Sequence, residues 1–297
     1  MTVPAELLGR RVVSVLDLTR PWASDVRTRR ATLEDGLVVV HQAGLPTAAG
    51  RAGIARRMRL SRSLAAAAAP GLLVPAVLDG DPGADPPFLV TAFVPGRTGA
   101  ELLGSDSDAV VLGRAAGAAA RAIAAIPPRS LGTRLPGLWG DAGLLSAAAL
   151  RWLGGVRATL SPSEIRSVAG TIDGIPGLLA APAVLAHGDL APVNLVIDDG
   201  RMVGLLDLER LRVAPAGFDA AWFRFMVRHH HPERWPVAGP AFLEAANLGD
   251  ELHVRRRLDD LAVLACLEHA RLPGRSPARC GWVARAREVL HRELPGP

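Results

Sequence analysis

The run from His187 to Asp207 constrains this chain more than any other stretch: H-G-D-L-A-P-V-N-L-V-I-D-D-G-R-M-V-G-L-L-D. Leu195 to Ile197 and Met202 to Leu206 are short apolar segments, and the Asp199-Gly200 pair between them supplies the positive φ angles that a two-residue hairpin turn needs. Asp198 and Arg201 flank the turn with opposite charge and can face each other across the strands. Such a hairpin returns Asp207 to the neighbourhood of Asn194, which itself lies five residues after Asp189. Two carboxylates and an amide are thereby gathered at the ends of one loop and one strand.

That set of groups suits phosphoryl transfer, in which one carboxylate orients an attacking hydroxyl while an amide and a second carboxylate hold Mg²⁺, a hard ion that prefers oxygen. The segment resembles the catalytic and metal-binding block of the aminoglycoside phosphotransferase family, relatives of choline kinase and more distantly of protein kinases. Their loop is similar to H-G-D-x-x-x-x-N and is followed by an I-D-x-E segment. The resemblance implies that Asp189 faces the substrate hydroxyl, that Asn194 and Asp207 bind metal, and that Glu209 matches the final Glu. It further implies a bilobal α+β fold like that of protein kinases, with a small β-rich N-lobe over residues 1–94 and a larger, mainly helical C-lobe over residues 95–297. ATP or GTP and Mg²⁺ are the cofactors it implies.

Composition narrows the rest. A chain of 297 residues, 49% of them apolar, can bury the large core that a two-lobed molecule needs. It contains no lysine, so any task performed elsewhere by lysine falls to another side chain. The net charge of +5 is spread without a basic tail or an aromatic-interleaved stripe, which weighs against nucleic-acid binding. It also weighs against polycationic aminoglycosides, which an acidic cleft would attract. Cys266 and Cys280 lack metal-site spacing and fit a reduced cytoplasmic setting. The N-terminus lacks the apolar core of a signal peptide. The alanine-rich run at 109–126 carries Arg114 and Arg121 on one helical face and reads as an amphipathic helix, not a membrane span.

Towards the N-terminus, strands are expected at Arg11 to Leu18, Val26 to Leu33 and Leu37 to His41, then at Leu73 to Val77 and Phe88 to Val94. The link Thr19 to Asp25 contains Pro21 and Trp22 but no glycine, so it reads as a stiff lid rather than a phosphate-wrapping loop. Period-two alternation puts Val39 and His41 on one face. By resemblance Val39 would pack on adenine and His41 would stand where the family carries a lysine or arginine. The helix at about Arg51 to Ala67 should turn Ile54, Met58 and Ala65 inward, with Met58 where the family's partner glutamate belongs. No acidic residue occurs from Leu37 to Leu78. Two readings stay open: His41 or an arginine such as Arg27, Arg29 or Arg57 supplies the missing charge, or His41 is a buried strand residue and nucleotide binding is weak or lost. Arg51, Arg56, Arg57, Arg59 and Arg62 make this helix basic, either as a solvated face or as a dock for an acidic peptide or protein partner.

The segment P-F-L-V-T-A-F-V-P-G resembles the family's last strand and hinge, which would offer Thr91, Ala92 and Phe93 to the nucleotide base. Helices are expected at 107–126, 144–160, from the Ser161 capping box to Gly174, and at 216–230, 240–247, 250–271 and 276–293. His187 is read as a buried support of the loop rather than a proton shuttle, and Asp219, in G-F-D-A-A-W, as a brace for the same loop. His229 to His231 read as a surface cluster at a helix end, since adjacent helical residues point apart. The favoured function is Mg²⁺-dependent phosphorylation of a hydroxyl on a small molecule or natural product. Phosphorylation of Ser or Thr in a peptide together with a partner lyase, a kinase-like scaffold without activity, and a resistance kinase for a cationic antibiotic are the alternatives.

Overall fold

The computed structural model describes residues 3–19, 26–67, 72–180, 183–249 and 252–270. The N-terminal part opens with β1 (Glu6–Leu7), β2 (Arg10–Asp17), β3 (Val26–Leu33) and β4 (Val38–Gly44), followed by helix α1 (Ala48–Ala67) and then β5 (Val77–Asp81) and β6 (Phe88–Ala92). These strands form one curled antiparallel sheet in the order β1-β2-β3-β4-β6-β5. The link proposed as a lid lies, from residue 20 to residue 25, outside the described residues.

Along β4 no side chain is fully exposed, so both faces of that strand are covered, and the neighbours show what covers each. A Cβ added to Gly44 would meet Ile54 of α1, and one added to Gly80 would meet Met58 of α1. Gly80 pairs with Leu89, and Leu89 with Gln42. Paired residues share a face, so α1 covers the side of Val40, Gln42, Leu89 and Thr91. Val39, Val90, Ala31 and Leu33 point the other way and form a separate small cluster with Leu7. Ile54, Leu60 and Leu64 of α1 are 0–1% exposed, each side chain contributing roughly 1.5–3 kcal/mol by leaving water. Two expectations for α1 change: Ala65 is exposed and Met58 only half-buried.

The expected strand at Leu73 to Val77 is displaced to Val77–Asp81. Pro75 has no N–H to give a ladder, and the Leu73 carbonyl accepts from Leu205 N at 2.8 Å instead. The Asp79-Gly80 pair, which reads locally as a turn, is strand because Phe88–Ala92 lies alongside it.

Among the described residues from 97 to 270 the chain is mainly helical. The elements are β7 (Arg97–Thr98), α2 (Gly99–Leu102), α3 (Asp106–Ala124), α4 (Ala142–Val156), α5 (Pro162–Asp173), α6 (Ile175–Leu178), β8 (Ala183–Ala186), β9 (Leu195–Asp198), β10 (Arg201–Leu205), β11 (Arg212–Pro215), α7 (Phe218–His230), α8 (Trp235–Ala245) and α9 (Leu252–Ala270). The capping box at the start of α5 forms as expected, with Ser161 Oγ accepting from Glu164 N and Glu164 accepting from Ser161 N. Trp139, Phe218, Trp222, Phe223 and Phe242 are fully buried in the core of this part. The helix expected at 276–293 lies outside the described residues. Among the described residues no helix is long and apolar enough to cross a membrane.

Candidate active site

The loop from His187 to Asn194 is clamped between two small sheets. On one side β8 pairs antiparallel with β11, and on the other β9 pairs with both β10 and β7. The β9–β10 turn is the one the residues call for: Asp199 and Gly200 have φ of 45° and 71°, and Asp198 stands opposite Arg201. At the far end of the hairpin Leu206 N donates to the Asn194 carbonyl at 2.8 Å. Asp207 follows in the left-handed region, with φ 60° and ψ 56°. A non-glycine residue held there costs on the order of 1 kcal/mol, which the surrounding contacts must offset.

Within the loop nearly every polar group is spoken for. Gly188 has φ 82°, and a Cβ there would lie 2.1 Å from the Arg210 carbonyl, so only glycine lets the loop pass. Asp219, at the start of α7, accepts from His187 N at 2.7 Å and from Gly188 N at 3.0 Å. Burial pushes the Asp219 carboxyl above its ordinary range, while His187, these two N–H donors and Arg212 pull it back. The His187 ring is fully buried. Its Nε2 donates to the Leu206 carbonyl at 2.9 Å and its Nδ1 accepts from Asp189 N at 3.2 Å. Both ring nitrogens are therefore bound to backbone, and one imidazole ties the start of the loop to the residue before Asp207.

The Asn194 amide nitrogen donates to the Asp189 carbonyl at 2.9 Å, which leaves its oxygen as the atom free to meet a cation. Asn194 is 4% exposed. Asp189 presents a carboxylate with one oxygen already engaged, since Trp222 Nε1 donates to Oδ1 at 2.7 Å. Trp222 stacks on His269, with ring centroids 4.6 Å apart and planes at 18°. His269 in turn is tied to Arg210 at 2.7 Å and, through Nδ1, to the Ala265 carbonyl at 2.8 Å. Burial, reinforced by Arg210, lowers the His269 pKa to about 3, so the ring is neutral and its Nε2 accepts from the guanidinium. The behaviour of Trp222 was not anticipated from sequence; its only signal is its position three residues after Asp219, which puts both on one face of α7.

A second buried pair supports the same loop from below. Arg212 donates to Glu268 at 2.8 Å, and Trp139 Nε1 donates to the same oxygen at 3.0 Å. Burial works to raise the Glu268 carboxyl, yet Arg212, His269 and Trp139 together bring it below the usual range.

Asp207 and Glu209 face α1. Arg57 donates to Asp207 Oδ1 at 3.1 Å and also binds Glu209 Oε2. Arg56 Nε donates to the Glu209 carbonyl at 2.8 Å, and Arg51 to the carbonyls of Gly83 and Ala84 at 2.6 Å each. Three of the five arginines on this helix are thus bound within the molecule, which corrects their reading as a solvated face and leaves Arg59 and Arg62 for any outside partner. Burial raises the Glu209 carboxyl, with Arg57 opposing and Asp207 and Asp189 adding to the rise. Arg57, Asp207, Arg210 and Asp189 therefore all lie within electrostatic reach of Glu209. Two oxygen ligands, from Asn194 and Asp207, fit a Mg²⁺ that takes its remaining partners from phosphate and water. No group of three or more His, Cys, Asp or Glu among the described residues offers an alternative metal cage. That holds for the His229 to His231 cluster at the end of α7, where His229 stacks on Phe225.

The structure does not bring Val39 and His41 to this site. Val39 is 0% and His41 2% exposed, on the sheet face opposite α1. His41 stacks on Phe88 at 5.9 Å, and burial followed by Arg29 lowers its pKa, so it carries no charge near neutral pH. Thr91 and Phe93 stand on the α1 side: Thr91 pairs with Val40, and Arg30, also paired with Val40, lies over the Phe93 ring at 5.5 Å. Ala92 pairs with Val39, and Phe93 N donates to the Val38 carbonyl at 3.3 Å.

A curled sheet over a helical half defines a kinase-like phosphotransferase fold. The model of the phosphotransferase enzyme family matches residues 23–261, and the chain belongs to that family. Among solved structures it is similar to the macrolide 2′-phosphotransferase MphH from Brachybacterium faecium, at 19% identity and a TM-score of 0.66, covering 97% of this chain and 95% of that one. It is also similar to a thermostable mutant of aminoglycoside phosphotransferase APH(4)-Ia in a ternary complex with AMP-PNP and hygromycin B, at 16% identity and a TM-score of 0.72, covering 98% and 96%. The GDP complex of aminoglycoside 2′-phosphotransferase-IIIa matches at 15% and 0.69, covering 95% and 93%. No curated protein matches the sequence.

Proposed function

We propose that this protein transfers the γ-phosphate of ATP or GTP, with Mg²⁺, to a hydroxyl group of a small molecule or natural product. The observation that carries the reading is the Asp189 carboxylate, pinned at one oxygen by Trp222 beside an Asn194–Asp207 pair that the hairpin holds in place. Asp189 orients the acceptor hydroxyl with its other oxygen and takes the proton late in the reaction. Trp222 fixes the direction of that oxygen. His187 and Asp219 hold the loop backbone, and Asn194 and Asp207 would hold the ion. When bound, the ion offsets charge on the phosphates.

The nucleotide base belongs on the α1 side of the sheet, against the hinge at Thr91, Ala92 and Phe93, and the lobes divide at residues 94 and 95 in this reading. A reduced cytoplasmic setting belongs to this reading, with Cys266 buried in the core.

We further propose an acceptor without multiple positive charges. The acids of α9 already have partners: Asp259 binds Arg224 and lies 3.9 Å from Arg228, Asp260 accepts from Thr171 at 2.9 Å, and Glu268 is held by Arg212. A polycation finds no unpaired carboxylate among these. The structures similar to this one include phosphotransferases of both macrolides and aminoglycosides, so a panel drawn from the two classes is the direct test. Mg²⁺-dependent release of nucleoside diphosphate, stimulated by neutral or singly charged hydroxyl compounds and lost in Asp189→Ala, is expected.

One observation favours a rival reading, a scaffold without catalysis: Asp207 is already paired with a guanidinium. Calorimetry separates the two, because a scaffold gives no heat with millimolar nucleotide and Mg²⁺. The peptide-acceptor reading loses its support with the internal binding of Arg51, Arg56 and Arg57.

A further inference from the structure

Helix α1 has no acidic neighbour on its own stretch of chain, and its arginines reach across to the segment after β10 instead. Arg57 sits at the centre of this contact. Its guanidinium faces two carboxylates at once, Asp207 and Glu209, and its side chain is 15% exposed. Arg57 engages only Oδ1 of Asp207, so the other oxygen remains for a cation. The Nε of Arg57 is buried with no acceptor.

An arginine in this position can either plug the site or bind the anion that comes to it. A plug would spend all its donors on protein groups, whereas Arg57 keeps a buried N–H unsatisfied, a state that costs free energy until an acceptor arrives. No cation from β4 competes for the role on this face, because His41 points to the opposite side of the sheet. A planar guanidinium with several donors matches phosphate oxygens well, and can hold a carboxylate with one edge and a phosphate with the other. We propose that Arg57, delivered from helix α1, binds the nucleotide's phosphates and shares Asp207 with the metal ion. The inference rests on the phosphotransferase reading above and adds to it the source of the phosphate-binding charge in a chain without lysine.

The test is calorimetric titration of the full chain and its variants with ATP plus Mg²⁺, beside competition by adenosine, which has the base but no phosphate. Arg57→Gln should weaken ATP binding about ten- to a hundredfold, the loss expected for a hydrogen bond between charged groups, and leave the affinity for adenosine unchanged. Arg57→Lys should restore part of the ATP affinity, and covers the case in which the glutamine variant folds poorly. Arg62→Ala, an exposed arginine on the same helix, should change neither ligand. ATP binding by Arg57→Gln as tight as the parent's, or tighter, overturns the proposal and makes the ion pair a plug. Equal losses for ATP and adenosine overturn it too, because the helix would then only shape the cleft. A parent that binds neither ATP nor GTP removes the phosphotransferase reading itself, whereas failure at Arg57 alone leaves that reading standing.

Discussion

Replacing Trp222 by phenylalanine measures how far Asp189 depends on its donor. The indole is 1% exposed, donates to Asp189 Oδ1 at 2.7 Å and stacks on His269. Phenylalanine keeps a ring in the stack and removes only the N–H and part of the area. A hydrogen bond to a charged acceptor is worth about 1.5–3 kcal/mol net, and each ~1.4 kcal/mol corresponds to a factor of ten in rate. If that bond serves to hold the carboxylate in its reacting direction, kcat should fall about ten- to a hundredfold. Nucleotide affinity should stay within about twofold, since the indole touches the carboxylate and not the hinge. Lost packing should cost about 1–2 kcal/mol of stability, so steady-state kinetics belong well below the melting temperature of the variant. A kcat within twofold of the parent would show that the loop alone positions Asp189. A loss as complete as that of Asp189→Ala would also refute the argument, because the indole would then be more than a support.

Asp189→Asn should reduce turnover by at least about a thousandfold, near the upper range for general-base loss, with nucleotide affinity by calorimetry little changed; residual turnover within tenfold would remove the assignment. Asp219→Ala leaves two buried N–H groups without an acceptor and should cost about 2–6 kcal/mol in urea unfolding, with Asp219→Asn retaining part of that; a change under about 1 kcal/mol would mean the brace is dispensable. His269 should make the fold acid-sensitive. Its folded pKa of about 3 lies below the ordinary value of 6.5, so between those values only the unfolded chain takes up the proton. Stability then falls as pH drops below about 6.5, by up to about 1.4 kcal/mol per unit. His269→Gln should flatten the dependence between pH 7 and pH 5, and parallel curves for parent and variant would count against it.

What could be read from sequence was local. The Asp199-Gly200 turn, the Asp198 and Arg201 pairing and the Ser161 capping box depend on residues within a few positions of each other, and the chain folds there as those residues dictate. Alternation correctly put Val39 and His41 on a common face, but both faces of β4 are covered, so alternation had no means of telling which one α1 would take. The strand at Val77–Asp81 depends on its partner β6, not on its own Asp-Gly pair. The bonds that shape the site, Arg57 to Asp207 and Trp222 to Asp189, join residues 150 and 33 positions apart. Sequence named Arg57 as one cation among several; only packing of α1 against the segment after β10 singled it out.

The bond from Trp222 to Asp189 also bears on product identity. If Asp189 acts as proposed, a compound bearing many alcohols would meet a proton acceptor with one oxygen already occupied by Trp222. Which alcohol becomes the ester would then be decided by how the whole scaffold leans against that opening, more than by the intrinsic reactivity of any one oxygen. A rigid indole, with only the Asp189 side chain between it and the acceptor, would in this way govern regiochemistry.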